Sequence, residues 1–269
     1  MRFKKKCKVL LSIAGSDNSS GAGIQCDLKT SSALKVYCVS CVSAITSQNS
    51  REVKKTFFLT KDLVISQLKT ILSDFKIDCI KIGLFNGIES AKAVVNLFKK
   101  EKINIPIVVD PIFKSTTKSQ FLKKSDYLST HRVFSKLNPI FTPNLIEIKT
   151  LMDINSSKKV SKQKLVRMFY DTYKCNVILT AGDDKSDFCK DYLLDETLKI
   201  KIISSKKIIS RNSHGSGCAF STALSIYLAR CLKLYESAIL AKKFTERSIK
   251  LAPNFDLDYG PVGQFSLFK

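Results

Sequence analysis

The stretch "KVLLSIAGSDNSSGAGIQCDLKT", residues 8–30, decides the fold, because it joins an apolar strand to a helix through a glycine-rich turn. Its run "VLLSIAG" has the length of a buried strand, and a helix is predicted over residues 22–34. The turn is not a P-loop, since no Gly-Lys-Ser/Thr ends it, and its spacing is not GxGxxG. The stretch therefore predicts a strand–turn–helix unit of an α/β protein. The turn alone favours a ligand-binding loop and an ordinary connection about equally.

The same alternation of apolar strands and amphipathic helices continues to the end of the chain. Further strands are predicted in "YCVSCVSAI", "IDCIKIGLF", "IPIVVDP", "PIFTPN" and "NVILTAG", and a hairpin in "FCKDYLLDETLKIKIIS". Further helices are predicted in "KDLVISQLKTILSDF" and over residues 89–100, 162–173, 217–231 and 235–251. This order predicts an α/β fold with a mostly parallel sheet and helices on both faces. No linker, repeat or low-complexity block interrupts it, so residues 1–269 are expected to form a single domain.

Composition limits the class of protein. The 269 residues are 44% apolar, which is enough for a full core. No apolar run approaches the roughly 20 residues of a membrane span. The basic start "RFKKKCKVLLSIAG" has the order of a signal peptide, but its apolar part is short, and a first buried strand is the favoured interpretation. Nine cysteines without regular spacing are typical of reduced thiols, so a cytoplasmic protein is expected.

The net charge of +22 raises the question of a nucleic-acid partner. Only seven of the 45 basic residues are Arg, and the lysines are spread over the whole length. Surfaces that bind nucleic acids usually add Arg side chains and exposed aromatic rings to the charge of Lys. Compositional drift is therefore the favoured explanation, and neither a specific nucleic acid nor a membrane is expected as a partner.

Polar and glycine residues follow the predicted strands, at the sheet edge where α/β proteins bind ligands. These strand tips carry Gly15-Ser16-Asp17, Gln48-Asn49, Gly83, Asp110, Asn144 with Glu147, and Gly182. Carboxylates at such tips suit Mg²⁺ held through water, which makes Asp110 and Glu147 candidate metal residues. Taken singly, each of the two could also be a plain surface carboxylate.

The motif Gly215-Ser216-Gly217-Cys218 places a thiol in the first turn of a predicted helix. The glycines allow a tight turn whose amides converge, and the helix dipole adds positive potential there. The motif predicts an anion hole for a phosphoryl group, with Cys218 as a base of lowered pKa. The alternative is a helix end that holds a buried cysteine. His214 is either a proton partner or a hydrogen-bonded loop residue.

Together these segments resemble the hydroxymethylpyrimidine/phosphomethylpyrimidine kinase family of thiamin synthesis, within the ribokinase-like kinases. The resemblance rests on "IAGSDNSSGAGIQCDLKT", "SAITSQNS", "IKIGLF", "VVDPIFKS", "FTPNLIEIKTL", "NSHGSGCAFSTALS" and "YGPVGQF", in that order. It implies a ribokinase-like three-layer sandwich with a small β flap. It also implies ATP- and Mg²⁺-dependent phosphorylation of 4-amino-5-hydroxymethyl-2-methylpyrimidine and then of its monophosphate.

The resemblance assigns roles to individual positions. It implies that Gly15, Asp27, Gln48 and Leu84 bind the pyrimidine, although Asp27 in a first helical turn could also simply complement the helix dipole. A primary amide such as Gln48 both donates and accepts, which suits the edge of an aminopyrimidine. The remaining implied sites are the anion hole and base at Gly215, Ser216, Gly217 and Cys218, Mg²⁺ and water at Asp110 and Glu147, and nucleotide phosphate at Asn144, Thr180 and Gly182.

The chain departs from the family pattern at the nucleotide site. Thr180-Ala181-Gly182-Asp183 stands where the family usually has Lys-Gly-Gly-His, so a cation is missing. Lys114, just past Asp110, is a candidate to replace it. A pyridoxal-type vitamer kinase and a decayed pyrimidine-binding relative with little turnover are the alternative functions. The resemblance also allows a homodimer, which no feature of the residues indicates.

Overall fold

The computed structural model describes residues 7–114, 121–180, 182 and 187–267. All of its named strands belong to one nine-stranded sheet. The strands are β1 (Val9–Asp17), β2 (Tyr37–Gln48), β3 (Val53–Phe58), β4 (Cys79–Ile82), β5 (Ile107–Val109), β6 (Ile140–Phe141), β7 (Val177–Leu179), β8 (Phe188–Leu194) and β9 (Lys201–Lys206). Their order across the sheet is β3-β2-β1-β4-β5-β6-β7-β8-β9.

The six central strands, β2 to β7 in sheet order, are parallel. At one end β3 pairs antiparallel with the last residues of β2, which makes the β flap. At the other end β8 and β9 form the predicted hairpin, and β8 pairs antiparallel with β7. Parallel strands buried on both faces need apolar side chains throughout, and the short apolar runs supply them. The predicted mostly parallel α/β sheet is confirmed.

Helices cover both faces of the sheet. They are α1 (Gly23–Ala33), α2 (Lys61–Asp74), α3 (Ile88–Lys100), α4 (Lys124–Phe134), α5 (Leu145–Leu151), α6 (Lys162–Tyr173), α7 (Ser216–Ala229) and α8 (Leu234–Lys250). Helices α2 to α6 pack on one face through the largest apolar cluster of the molecule. Helices α1, α7 and α8 pack on the other face through smaller clusters. The layers are therefore helix, sheet and helix, as predicted.

Alternation along each strand divides the core between these two faces. In β1, Leu11 and Ile13 pack on the α2–α6 side and Leu10 on the other, all of them fully buried. Cys38 and Cys41 of the single CxxC also lie in clusters on opposite faces. The nine cysteines are free thiols. None of the helices in the described ranges combines the length and apolar character that crossing a bilayer requires.

Candidate active site

The start of α7 and the loop between β1 and α1 touch each other at the carboxyl edge of the sheet. We call residues 18–22 the β1–α1 loop and residues 213–217 the glycine loop. Gly215, the residue before α7, has a φ of 82°, which favours glycine. A Cβ added there would lie 1.9 Å from the carbonyl oxygen of Gly21. Only glycine fits this contact, so the two loops are held against each other by backbone packing.

The first turn of α7 presents backbone amides beside open space. Ser216 N donates to Ser213 O at 3.1 Å, and the first helical bond runs from Ala219 N to Gly215 O at 2.8 Å. The amides between them belong to the helix end, where no carbonyl within the helix is available. Gly217 is exposed, and no atom lies within 4 Å of a Cβ built on it. Free amides at a helix N-terminus favour anions, so the geometry is compatible with the anion hole, which stays a prediction.

Cys218 lies beneath these amides and is only 5% exposed. Its neighbours in the apolar cluster are Cys26, Ala219 and Val262. Burial raises the pKa of the Cys218 thiol well above its usual value, the charge of Lys81 lowers it, and the carboxylates around it add to the rise. The expected low pKa at Cys218 is therefore wrong for this arrangement, because enclosure outweighs the helix end and the thiol is protonated.

A fully buried ion pair lies on the same face of the sheet. Lys81 of β4 and Asp27 of α1 have 0% side-chain exposure, with Lys81 Nζ 3.0 and 3.1 Å from the Asp27 carboxylate oxygens. Ser12 Oγ donates to Asp27 at 2.5 Å and Thr222 Oγ1 donates at 2.7 Å. Four hydrogen bonds from the protein thus converge on the Asp27 carboxylate.

The predicted role of Asp27 in ring binding needs correction on this geometry. A carboxylate with no exposed surface and four hydrogen bonds from three protein donors does not offer an oxygen to a ligand in this arrangement. The alternative of a carboxylate in the first helical turn that complements the helix dipole is wrong, because α1 begins at Gly23 and its first turn holds no acidic residue. The buried Lys81 requires a counter-charge, and Asp27 supplies it. Asp27 instead ties together β1, β4 and α7 through Ser12, Lys81 and Thr222.

The two candidate metal residues are both buried, Asp110 directly after β5 and Glu147 in the first turn of α5. Asp110 follows β5 and is 5% exposed, and Ser221 Oγ of α7 donates to its Oδ2 at 3.1 Å. Burial raises the pKa of Asp110, whereas Lys81 and hydrogen bonds from Ser221 and Cys218 lower it, and the net shift is upward. Both carboxylates are buried, so the alternative that either is a plain surface group is wrong.

Asn144 and Glu147 form a capping box at the start of α5. Glu147 N donates to Asn144 Oδ1 at 2.9 Å, and Asn144 N donates to Glu147 Oε2 at 2.8 Å. This reciprocal pair explains the spacing of "TPNLIE", since it satisfies two amides at the helix end. Glu147 is 6% exposed. The Asn144 side-chain oxygen is thus occupied by the helix, which limits what it offers to a nucleotide.

Three of the residues predicted to bind the pyrimidine lie around the flap and β1. A Cβ added to Gly15 would lie 3.1 Å from Leu84 Cδ2, so these two positions are in contact. Gln48 N donates to Asn18 Oδ1 at 2.7 Å, which places the end of β2 against the β1–α1 loop. The Gln48 side chain also lies near enough to Asp17 to lower the pKa of its carboxyl. The structure brings Gly15, Gln48 and Leu84 to one edge, and their contact with a ring stays a prediction.

Of the nucleotide candidates, Thr180 lies beside the Pro143-Asn144 segment, and Lys114 lines a groove on the α5 side. Thr180 follows β7, and its amide donates to Pro143 O at 2.9 Å. Gly182 is exposed, and Asp183 lies outside the described residues. Lys114 is exposed and lines a groove with Lys149 and other residues on the α5 side, a groove that Thr180 does not line. Lys114 was the candidate to supply the cation that the family usually carries at position 180. This stays a prediction, because Thr180 is not among the residues that line the groove of Lys114.

Comparison with known proteins settles the family. A family model described as phosphomethylpyrimidine kinase matches residues 17–263. The chain belongs to this family. The thiamine biosynthetic bifunctional enzyme of Arabidopsis thaliana is 31% identical over 98% of this chain and 51% of its own length. The hydroxymethylpyrimidine/phosphomethylpyrimidine kinase of Rhizobium meliloti is 30% identical over 96% of this chain and 97% of its own. The chain spans about half the length of the bifunctional relatives that it matches.

Solved structures share the fold over nearly the whole chain. The pyridoxal kinase of Bacillus subtilis in complex with ADP gives a TM-score of 0.86 at 27% identity, covering 97% of this chain and 99% of that one. The phosphomethylpyrimidine kinase of Clostridium difficile gives a TM-score of 0.75 at 28% identity, covering 90% and 99%. The ribokinase-like architecture and the resemblance to the phosphomethylpyrimidine kinase family are both confirmed.

Two features of this family member's site were not predicted. The first is the buried ion pair of Lys81 and Asp27. The sequence did contain an indication of it, because a lysine in the middle of the apolar run "CIKIG" must face either solvent or a buried counter-charge. The second is the contact between Asp17 and His214, which are 197 positions apart. No spacing in the sequence could have paired them.

Proposed function

We propose that this chain transfers the γ-phosphoryl group of ATP to the hydroxymethyl oxygen of 4-amino-5-hydroxymethyl-2-methylpyrimidine, and then phosphorylates the resulting monophosphate in thiamin synthesis. The observation that carries the proposal is the open first turn of α7. The exposed Gly217 lies there over the buried Cys218, beside the carboxylate of Asp110. Helix-end amides favour phosphoryl oxygens, and an adjacent thiol and carboxylate can move the alcohol proton.

The residues of the glycine loop would act mainly by positioning. The amides of the first α7 turn hold the phosphoryl oxygens in place while the alcohol approaches in line. Cys218 Sγ accepts the alcohol proton as the new O–P bond forms, and the thiol proton moves to the carboxylate of Asp110, which lies close enough to the thiol for each to shift the pKa of the other. A protonated thiol is compatible with this step, since the loose transition state of phosphoryl transfer asks little of a base.

The acidic tips fit a magnesium ion held through water. Within the described residues no group of three or more His, Cys, Asp or Glu side chains could hold a metal. Magnesium in kinases needs only one or two carboxylates, because water and substrate phosphate complete its shell. Asp110 and Glu147 would supply these two. When bound, the ion would neutralise charge on the phosphates.

A pyridoxal-type activity is the second candidate function. It is favoured by the pyridoxal kinase of Staphylococcus aureus in complex with pyridoxal, which matches 98% of this chain with a TM-score of 0.83 at 28% identity. The pyridoxal ring would lie at the same edge of the sheet as the pyrimidine, next to Gly15 and Leu84. A decayed relative that binds the pyrimidine without turnover is the third, motivated by Thr180 in place of a lysine. We also keep the cytoplasmic location and a single domain over residues 1–269 as proposals.

The test is ADP release in the presence of ATP and Mg²⁺ with three separate acceptors. These are the aminopyrimidine alcohol, its monophosphate and pyridoxal. The proposal expects turnover with the alcohol and its monophosphate above the rate without acceptor. Turnover with pyridoxal alone would support the second function, and no turnover together with measurable binding of the alcohol would support the third.

A further inference from the structure

A single carboxylate joins the two loops that meet at the site. Asp17 Oδ2 lies 3.1 Å from His214 Nε2, which belongs to the glycine loop. The same oxygen accepts a hydrogen bond from Ala22 N at 2.7 Å. The other oxygen accepts from the amide and hydroxyl of Ser19, both at 2.7 Å. Asp17 thus holds its own β1–α1 loop and reaches across to the glycine loop.

His214 is held through both its ring and its backbone. On one side it covers Gly21, since a Cβ added to Gly21 would lie 1.9 Å from His214 Cδ2. On the other side the His214 backbone is held by the chain near the C-terminus, with His214 N donating to Gly260 O at 3.0 Å and Val262 N donating to His214 O at 3.1 Å. The imidazole thus packs on the β1–α1 loop, while its own backbone is anchored to residues 260–262.

The charge on Asp17 strengthens this contact. Asp17 is 2% exposed. Burial on its own would raise the pKa of the carboxyl, but hydrogen bonds from His214, Ser19, Ala22 and Gln48 lower it below its usual range. An ionised acceptor makes shorter and stronger hydrogen bonds than a neutral one. Gln48, a predicted pyrimidine contact, is among the side chains that lower this pKa, and its amide donates to Asn18 of the β1–α1 loop.

We infer that Asp17 and His214 are positioning residues, which hold the β1–α1 loop and the glycine loop in the register that brings the acceptor alcohol to the phosphoryl group. This inference rests on the proposed kinase function. Neither side chain takes part in bond making. A small misplacement of reacting groups can cost a large factor in rate, so loss of the contact lowers kcat more than it raises KM.

The test compares His214→Ala with His214→Gln and with Ser19→Ala. His214→Ala removes the contact between the loops, whereas the glutamine amide can still donate to Asp17. Ser19→Ala is the matched control, because it removes a hydrogen bond to the same carboxylate without touching the glycine loop. We expect kcat to fall about 10- to 100-fold in His214→Ala with KM for both substrates within about threefold, and to recover at least in part in His214→Gln. Ser19→Ala should keep kcat within about threefold.

Hydrogen exchange on the ligand-free protein tests the same contact without reference to activity. In His214→Ala, amides in both loops should exchange roughly tenfold faster than in wild type, and in Ser19→Ala only those of the β1–α1 loop. Unchanged exchange in the glycine loop of a folded His214→Ala, or a kcat within twofold of wild type, would overturn the inference. If the wild type phosphorylates no acceptor, the proposed function fails, while the exchange result still decides whether the two residues hold the loops together.

Discussion

At the residue scale, burial and the N-terminus of α7 have opposite effects on the pKa of the Cys218 thiol. Amides at the N-terminus of α7 favour a thiolate, but the side chain is 5% exposed and lies near Asp110 and Asp27. Desolvation and like charge both favour the neutral thiol. The residue is thus suited to relay a proton during the reaction rather than to carry a permanent charge.

Cys218→Ala should reduce kcat strongly while the protein stays folded. Loss of proton-transfer help typically costs about 10²- to 10⁴-fold in rate. Steady-state kinetics with the aminopyrimidine alcohol measures this, and Cys175→Ala, a buried cysteine of the α2–α6 cluster, is the control. A Cys218→Ala rate within twofold of wild type would remove the thiol from the mechanism.

The buried pair of Lys81 and Asp27 leads to a prediction about stability. Lys81→Met leaves an uncompensated carboxylate with no exposure, which should cost about 3–5 kcal/mol in the free energy of unfolding. The double variant with Asp27→Asn should regain most of this, because the amide is neutral and can still pair with both hydroxyls. Ser12 and Thr222 donate to different carboxylate oxygens, so the amide oxygen accepts from one hydroxyl and the amide NH₂ donates to the other, which rotates to accept. Urea unfolding gives both values.

The control for that pair is Lys8→Ala, which breaks a partly exposed ion pair with Asp78. It should change stability by less than about 1 kcal/mol. If Lys81→Met cost no more than Lys8→Ala, the buried pair would not be a stabilising element of the site.

At the scale of elements, the sequence predicted those with clear apolar periodicity and missed those without it. Helix α6 was predicted at its observed bounds, Lys162–Tyr173. Helix α4 was missed because its buried face mixes Tyr127 and Phe134 with the polar Thr130 and His131. Strand β3 was missed because Lys54 and Lys55 face solvent at the sheet edge. The glycine loop could be predicted from its spacing, whereas its long-range partners could not.

His131 of α4 makes stability depend on pH. The ring is 2% exposed, its Nδ1 lies 2.7 Å from Tyr127 O, and burial lowers its pKa from 6.5 to about 4. Between pH 6.5 and pH 4, His131 binds a proton in the unfolded chain but not in the folded protein. The contribution of this group to the free energy of unfolding is therefore complete above pH 6.5 and is lost as the pH falls toward 4. Through this group, the free energy of unfolding should be about 2 kcal/mol lower at pH 5 than at pH 7. His131→Phe should lose that part of the pH dependence, and an unchanged slope would contradict the assignment.

The tip of β7 yields a prediction about the nucleotide. Thr180→Lys adds a cation where the family usually has one, and a charge-assisted contact with phosphate is worth about 1.5–3 kcal/mol. The variant should therefore lower KM for ATP or raise kcat. Lys114→Ala should harm the wild type more than the Thr180→Lys variant, and a double-mutant cycle measures that coupling. If neither substitution changed KM for ATP or kcat, neither residue would contact phosphate.

At the scale of the whole molecule, the sheet and its helices determine where the reaction takes place but not which ring is phosphorylated. The chain matches phosphomethylpyrimidine kinases in sequence and pyridoxal kinases in structure over nearly its full length. A shared fold hosts several acceptors, so we expect acceptor choice to depend on the few side chains at the edge where Gly15, Gln48 and Leu84 lie. The net charge of +22 is spread over the chain and does not select among these acceptors.

A competition experiment tests the choice of acceptor most directly. The protein is given Mg²⁺, limiting ATP and equal concentrations of the aminopyrimidine alcohol and pyridoxal, and mass spectrometry measures how the phosphoryl group divides between them. The ratio of products gives the ratio of the two kcat/KM values. A pyrimidine kinase should place at least about tenfold more phosphate on the pyrimidine, a difference of about 1.4 kcal/mol between the two transition states. A majority of phosphorylated pyridoxal, or no phosphorylated product, would contradict the proposed function.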